Sequence, residues 1–147
     1  MPGIVVGVDR SDNSRNALDW AITESAIRSA PLTVLAVSPV AANIFGYTPE
    51  RYPADEENRA RVEKATQQLE DEAIARRSDA SGVQITVRAV SGLPADELIR
   101  ASADADLLVV GARGAGGFAR LVMGSVSSQV VQHALCPVVV VPRERRG

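Results

Sequence analysis

The sequence predicts an α/β domain, a parallel sheet with helices on both faces. Five short apolar runs, Ile4–Val8, Leu32–Val37, Val83–Ala89, Leu107–Val110 and Val138–Val141, are separated by longer stretches with helical spacing. Thr33 aside, four of these runs are continuously apolar, as strands covered on both faces are. Strands that alternate with helices imply right-handed crossovers and therefore parallel pairing. At 147 residues, the chain is expected to form one domain over residues 1–147, long enough to bury a proper core.

The first strand, Ile4–Val8, ends at Asp9. The helix after it is expected from about Ser14 to Ser29, with Leu18, Ala21, Ile22 and Ser25 at helical spacing behind the cap candidates Ser11 and Asp12. Beyond the second strand, Ser38 to Ala54 holds three prolines (Pro39, Pro49, Pro53) and both tyrosines, Tyr47 and Tyr52. A loop of that length either folds over a ligand at the carboxyl edge of the sheet or merely connects. The second helix, about Asp55 to Ser78, opens on Asp55-Glu56-Glu57, charges that suit a helix N-terminus, and carries Val62, Leu69 and Ala73 on one side. In the third strand Gln84, Thr86 and Arg88 alternate with apolar residues, so it reads as an edge. Pro94 marks the start of a third helix ending near Ser102. The fourth helix begins at Ser125 and runs to about Ala134, before the four valines of the last strand.

Charge and rare residues narrow the function classes. A net charge of −2 argues against a nucleic-acid footprint, which needs a basic face. Lys64 is the only lysine, which disfavours a catalytic lysine. His133 and Cys136 are alone of their kinds, so neither a metal-hydrolase cluster nor a Ser-His-Asp arrangement suggests itself. Cys136 reads as a small hydrophobe and His133 as a residue of a helix C-terminus. A strand-like Ile4-Val5-Val6 follows the first three residues directly, which is not a secretory leader, and no apolar run approaches the ~20 residues of a membrane span. A soluble, cytoplasmic protein is expected.

The most informative stretch joins the fourth strand to the fourth helix. Leu107-Leu108-Val109-Val110 feeds into Gly111-Ala112-Arg113-Gly114, and nine residues later Gly124-Ser125 opens the helix. Glycines let backbone approach an anion, and a helix start offers free N–H groups, a positive dipole end and a hydroxyl. Strand, glycine-rich loop and helix together form a phosphate cradle. It is not a dinucleotide fingerprint, because the first strand-to-helix turn reads Gly7-Val8-Asp9-Arg10-Ser11-Asp12, and it is not a P-loop, which needs a lysine. If the first and fourth strands are neighbours at the switch point, Asp9 faces this loop. There it could accept from ribose hydroxyls or an adenine amine, or hold a metal. Alternatively it caps a helix.

The spacing Gly111, Gly114, Gly124-Ser125 resembles the G-2x-G-9x-G-[S/T] ATP motif of the universal stress protein family. Gly7-Val8-Asp9 resembles that family's first-strand ending, and Gly124-Ser125-Val126 through Pro137-Val138-Val139-Val140-Val141 its C-terminal half. The resemblance spans essentially the whole chain. It implies an open five-stranded Rossmann-like sheet of order 3-2-1-4-5, as in the adenine nucleotide alpha hydrolase-like folds. It also implies ATP, with magnesium or manganese as an accompanying cation, since family members without ATP lack the motif. On the same basis Asp9 contacts ribose or adenine, with Gly7 two residues ahead of it. The Val37 backbone pairs with the adenine edge, and Val110 and Gly111 line the ribose. Arg113 and Gly114 meet the phosphates, and Gly124, Ser125 and Val126 close on them, with Ser127 at a further position of the loop.

These roles describe a nucleotide-dependent stress-response switch rather than a fast catalyst, because no second carboxylate or histidine is placed to activate water. The alternatives are a slow ATP hydrolase or self-phosphorylating enzyme, a cyclic AMP binder, and a nucleotide-free dimerisation adaptor. Val138–Val141, at the sheet edge in the resembled fold, is expected to pair with its copy in a homodimer; otherwise the tail from Arg143 covers it.

Overall fold

In the computed structural model, residues 3–9, 12–39, 56–76, 82–112 and 123–142 are described. The elements are β1 (Ile4–Val8), α1 (Asp12–Arg28), β2 (Leu32–Pro39), α2 (Glu56–Arg76), β3 (Ile85–Gly92), α3 (Pro94–Ser102), β4 (Leu107–Gly111), α4 (Ser125–His133) and β5 (Val138–Val141). The five strands form one sheet in the order β3-β2-β1-β4-β5, with every pairing parallel. Ile4 stands opposite Leu32 on one side and Leu107 on the other, so β1 is central. The chain leaves β1 towards β2 and returns from β3 to β4, which makes the β1/β4 pair the switch point and opens a crevice at their carboxyl ends.

Successive strand residues face opposite sides of the sheet, and two core layers follow from that alternation. Ile4, Val6, Val8, Leu32, Val34, Leu107 and Val109 pack with Ala17, Leu18, Ala21 and Ile22 of α1. Val5, Leu35, Leu108 and Val110 pack on the other face with Leu98 of α3 and Val130 of α4. Burying one such aliphatic side chain stabilises by about 1.5–3 kcal/mol, so these layers dominate the fold. By contrast, the surface pairs linking α1 to α2, Arg76 with Asp19 and Arg15 with Glu72, and the Arg76–Glu72 pair within α2 are worth about 0.2–1 kcal/mol each.

The third strand departs from its expected bounds. Val83 and Gln84 precede it, and it continues past Ala89 to Gly92, because β2 runs on to Pro39 and the two stay in register as far as Pro39 opposite Gly92. Val83 is buried ahead of the strand, which is why hydropathy included it. Pairing, not apolarity, sets the length. The first helix starts at Asp12 rather than Ser14 and ends before Ser29, which turns left-handed at φ 53°, while the Ala30 N–H closes on the Ser25 carbonyl at 3.0 Å.

Candidate functional site

At the switch point β1 ends in an exposed Asp9. The Asp9 N–H donates to Ser14 Oγ at 3.2 Å, and Ser14 is buried in the first turn of α1. Here the Ser14 hydroxyl of the helix holds the strand end at Asp9. Ser11, the other cap candidate, lies outside the described residues.

Beside it, β4 delivers Gly111 and the buried Ala112 to the head of α4. The Ala112 N–H donates to the Val141 carbonyl at 2.9 Å, and its own carbonyl accepts from the Gly124 N–H at 2.6 Å. Ser127 Oγ lies 2.6 Å from the Gly111 carbonyl and 3.1 Å from that of Ala112. Gly124 is the extended N-cap of α4 and has no side chain to cap it, and the first ladder bond runs from the Ser128 N–H to the Gly124 carbonyl at 3.0 Å. The N–H groups of Ser125, Val126 and Ser127 therefore precede the ladder, at the positive end of the helix dipole. Such a helix head accommodates an anion, and the Asp9 carboxylate supplies acceptors for hydroxyl or amine donors nearby.

Several residues singled out from the sequence have a task within the fold. A Cβ on Gly7 would stand 2.8 Å from Leu98 Cδ2, so the missing side chain makes room for α3 in the core. Gly111 lacks a Cβ where Asn13 of α1 presses against it, with Asn13 Nδ2 and the Asn13 carbonyl both 3.1 Å from the position it would take. Ser127 is 4% exposed, and its single hydroxyl proton is directed at β4 carbonyls, so its side chain docks α4 rather than donating to a ligand. The Gly124 N–H is likewise engaged with Ala112, leaving Gly124 to shape the turn. Val110 is buried and Val37 half-buried in the same core layer. Ser125 is exposed at the helix head. Arg113 and Gly114 lie outside the described residues, as does the Ser38 to Ala54 loop apart from its first two residues.

Asn13 and Ser14 were not singled out from the sequence. The signal was the run Ser11-Asp12-Asn13-Ser14 directly after Asp9, four cap-forming residue types where a helix starts. His133 is exposed in the last turn of α4, as expected. Cys136 is half-buried against the second core layer, its thiol donating to the Pro137 carbonyl, and burial pushes that thiol up from its ordinary range. Among the described residues no group of three His, Cys, Asp or Glu is placed to hold a metal ion, and no helix is long and apolar enough to cross a membrane.

The family model for the universal stress protein family matches residues 2–142. A universal stress protein of Mycobacterium tuberculosis is 34% identical over 145 residues, covering 95% of this chain and 47% of that protein. One from Mycolicibacterium smegmatis is 34% identical over 142 residues, covering 95% and 47%. The chain thus spans about half the length of the curated relatives it matches. Among solved structures, the universal stress protein UspA from Lactobacillus plantarum superposes with a TM-score of 0.74 at 28% identity, covering 95% of this chain and 97% of that one. A universal stress protein solved in complex with cAMP superposes at 0.65 with 30% identity, covering 95% of each chain.

Proposed function

This chain belongs to the universal stress protein family, and from that premise we propose that it binds ATP and acts as a nucleotide-dependent regulator in the stress response. The observation that carries the reading is the glycine-capped head of α4 at the switch-point crevice, with Asp9 at the end of the neighbouring strand. Phosphates would take the N–H groups of Ser125, Val126 and Ser127 and the Ser125 hydroxyl, joined by Arg113 and Gly114 of the motif. Asp9 would accept from the ribose or adenine, and backbone at Val37, Val110 and Gly111 would line the nucleoside. The fit is one of donors to an anion: the helix head supplies N–H groups where ATP carries charge. Magnesium or manganese would come with the nucleotide and neutralise its phosphates, and the Asp9 carboxylate is an oxygen donor of the kind that either cation takes.

Regulation rather than turnover suits the site, since phosphoryl transfer to water needs a group that orients the attacking molecule. Slow hydrolysis or self-phosphorylation on Ser125 would use the same cradle. A cyclic AMP reading has one specific observation in its favour, the 30% identical relative solved with cAMP. Calorimetric titration of the purified chain with ATP and with cyclic AMP separates the two. Saturable ATP binding at least tenfold tighter than cyclic AMP is the expected result. The reverse order would transfer the site to cyclic AMP, and no binding of either would leave an adaptor.

A further inference from the structure

Asn13 has no part in the nucleotide scheme, yet it reaches the far side of the site. It stands in the first turn of α1 and is 8% exposed. Its Nδ2 donates to the Val141 carbonyl at 3.2 Å, at the carboxyl end of the edge strand β5. Between α1 and β5 lies β4, and the amide passes over it at Gly111. A Cβ on that residue would come within 3.1 Å of Nδ2 and 3.2 Å of Cγ, tighter than ordinary contact. The missing side chain of Gly111 is what admits the Asn13 amide.

From Val141 the bonds continue without a gap. The Val141 carbonyl accepts a second hydrogen bond, from the Ala112 N–H at 2.9 Å. The other side of Ala112, its carbonyl, accepts from the Gly124 N–H at 2.6 Å and lies 3.1 Å from Ser127 Oγ. Ala112 is 4% exposed, so water does not replace these partners freely. Asn13, Val141 and Ala112 thus connect α1, the end of β5 and the first turn of α4.

We propose that Asn13 is a positioning residue that holds the head of α4 through Val141 and Ala112, and thereby sets the N–H groups that meet a phosphate-bearing ligand. The ligand half of this statement rests on the nucleotide reading above; the positioning half does not. Asn13→Asp keeps the side-chain shape but turns an acceptor towards the Val141 carbonyl. Asn13→Ala only removes atoms, and covers the case in which the new charge prevents folding.

The test is amide hydrogen exchange on the ligand-free chain, followed by calorimetric titration with ATP. In either variant, exchange at Ala112 and Gly124 should accelerate about tenfold, as loss of a buried hydrogen bond implies. The Leu32 and Asp106 amides, bonded to the Gln84 and Gly3 carbonyls at the opposite end of the sheet, should keep their wild-type rates. ATP affinity should fall about five- to tenfold. Unchanged exchange at Ala112 and Gly124 overturns the proposal, as does uniform acceleration at all amides, which marks general destabilisation. Local acceleration with unchanged ATP affinity overturns the ligand half alone. If the wild type itself binds no ATP, the nucleotide reading falls, and the exchange pattern still decides whether Asn13 positions α4.

Discussion

The backbone and the side chain of Asp9 have separable tasks. Its N–H is held by Ser14 Oγ, a bond that survives any change of side chain, while the exposed carboxylate is the group assigned to the nucleoside. Asp9→Ala should therefore lower ATP affinity by about 1–3 kcal/mol while the melting temperature stays within a degree or two. Calorimetry and thermal unfolding on the same sample check both halves. A large drop in melting temperature with unchanged affinity would make Asp9 structural. The glycines are harder to read than the aspartate. Gly7 and Gly111 are legible as places where a backbone is approached closely, but a sequence does not say from which side. Leu98 approaches the first and Asn13 the second, both from within the protein. Position was readable there, and cause was not.

At the scale of elements, hydrophobic pattern was enough to find every described strand and helix, because α1 and α3 each bury one face and the central strands bury both. Lengths were less legible: β3 takes its end from its partner β2, and nothing local to Val90-Ser91-Gly92 announces that. The docking of α4 was also hidden, since it depends on hydroxyls meeting backbone far away in sequence. Ser127 Oγ reaches β4, and Ser102 Oγ at the end of α3 donates to the Ile99 carbonyl at 2.6 Å while accepting from the Leu135 N–H at 2.9 Å. α4 is thus held at both ends by buried serines, which leaves its exposed Ser125 free for other work. Two substitutions should separate these roles. Ser127→Ala should cost about 1–3 kcal/mol in urea unfolding, since it strips buried carbonyls of a donor, and should weaken ATP as a consequence. Ser125→Ala should leave unfolding unchanged and weaken ATP directly. Equal stability losses in the two variants would contradict this division.

At the scale of the whole molecule, β5 is a sheet edge that no described strand covers. Among the described residues β5 pairs with β4 alone, and its four valines are only half-buried. The Pro137 and Val141 carbonyls accept from Leu108 and Ala112, so the alternate residues Val138 and Val140 turn their N–H and C=O groups outward. Beside this edge Leu135 is 72% exposed and Val131 45%. Open backbone groups next to apolar side chains invite another strand, and a second copy running antiparallel across a two-fold axis would satisfy both. The alternative cover, the tail from Arg143, lies outside the described residues. We expect a homodimer through Val138–Val141. Val140→Pro is the sharper probe, because it removes an outward donor and leaves the ladder to β4 intact. Val139→Asp also burdens the α1 face, against which Val139 packs, so it should give aggregate as well as monomer. Sedimentation velocity at micromolar concentration should show a dimer for the wild type and a folded monomer for Val140→Pro. A wild-type monomer, or a Val140→Pro dimer, would mean that the edge is covered in some other way.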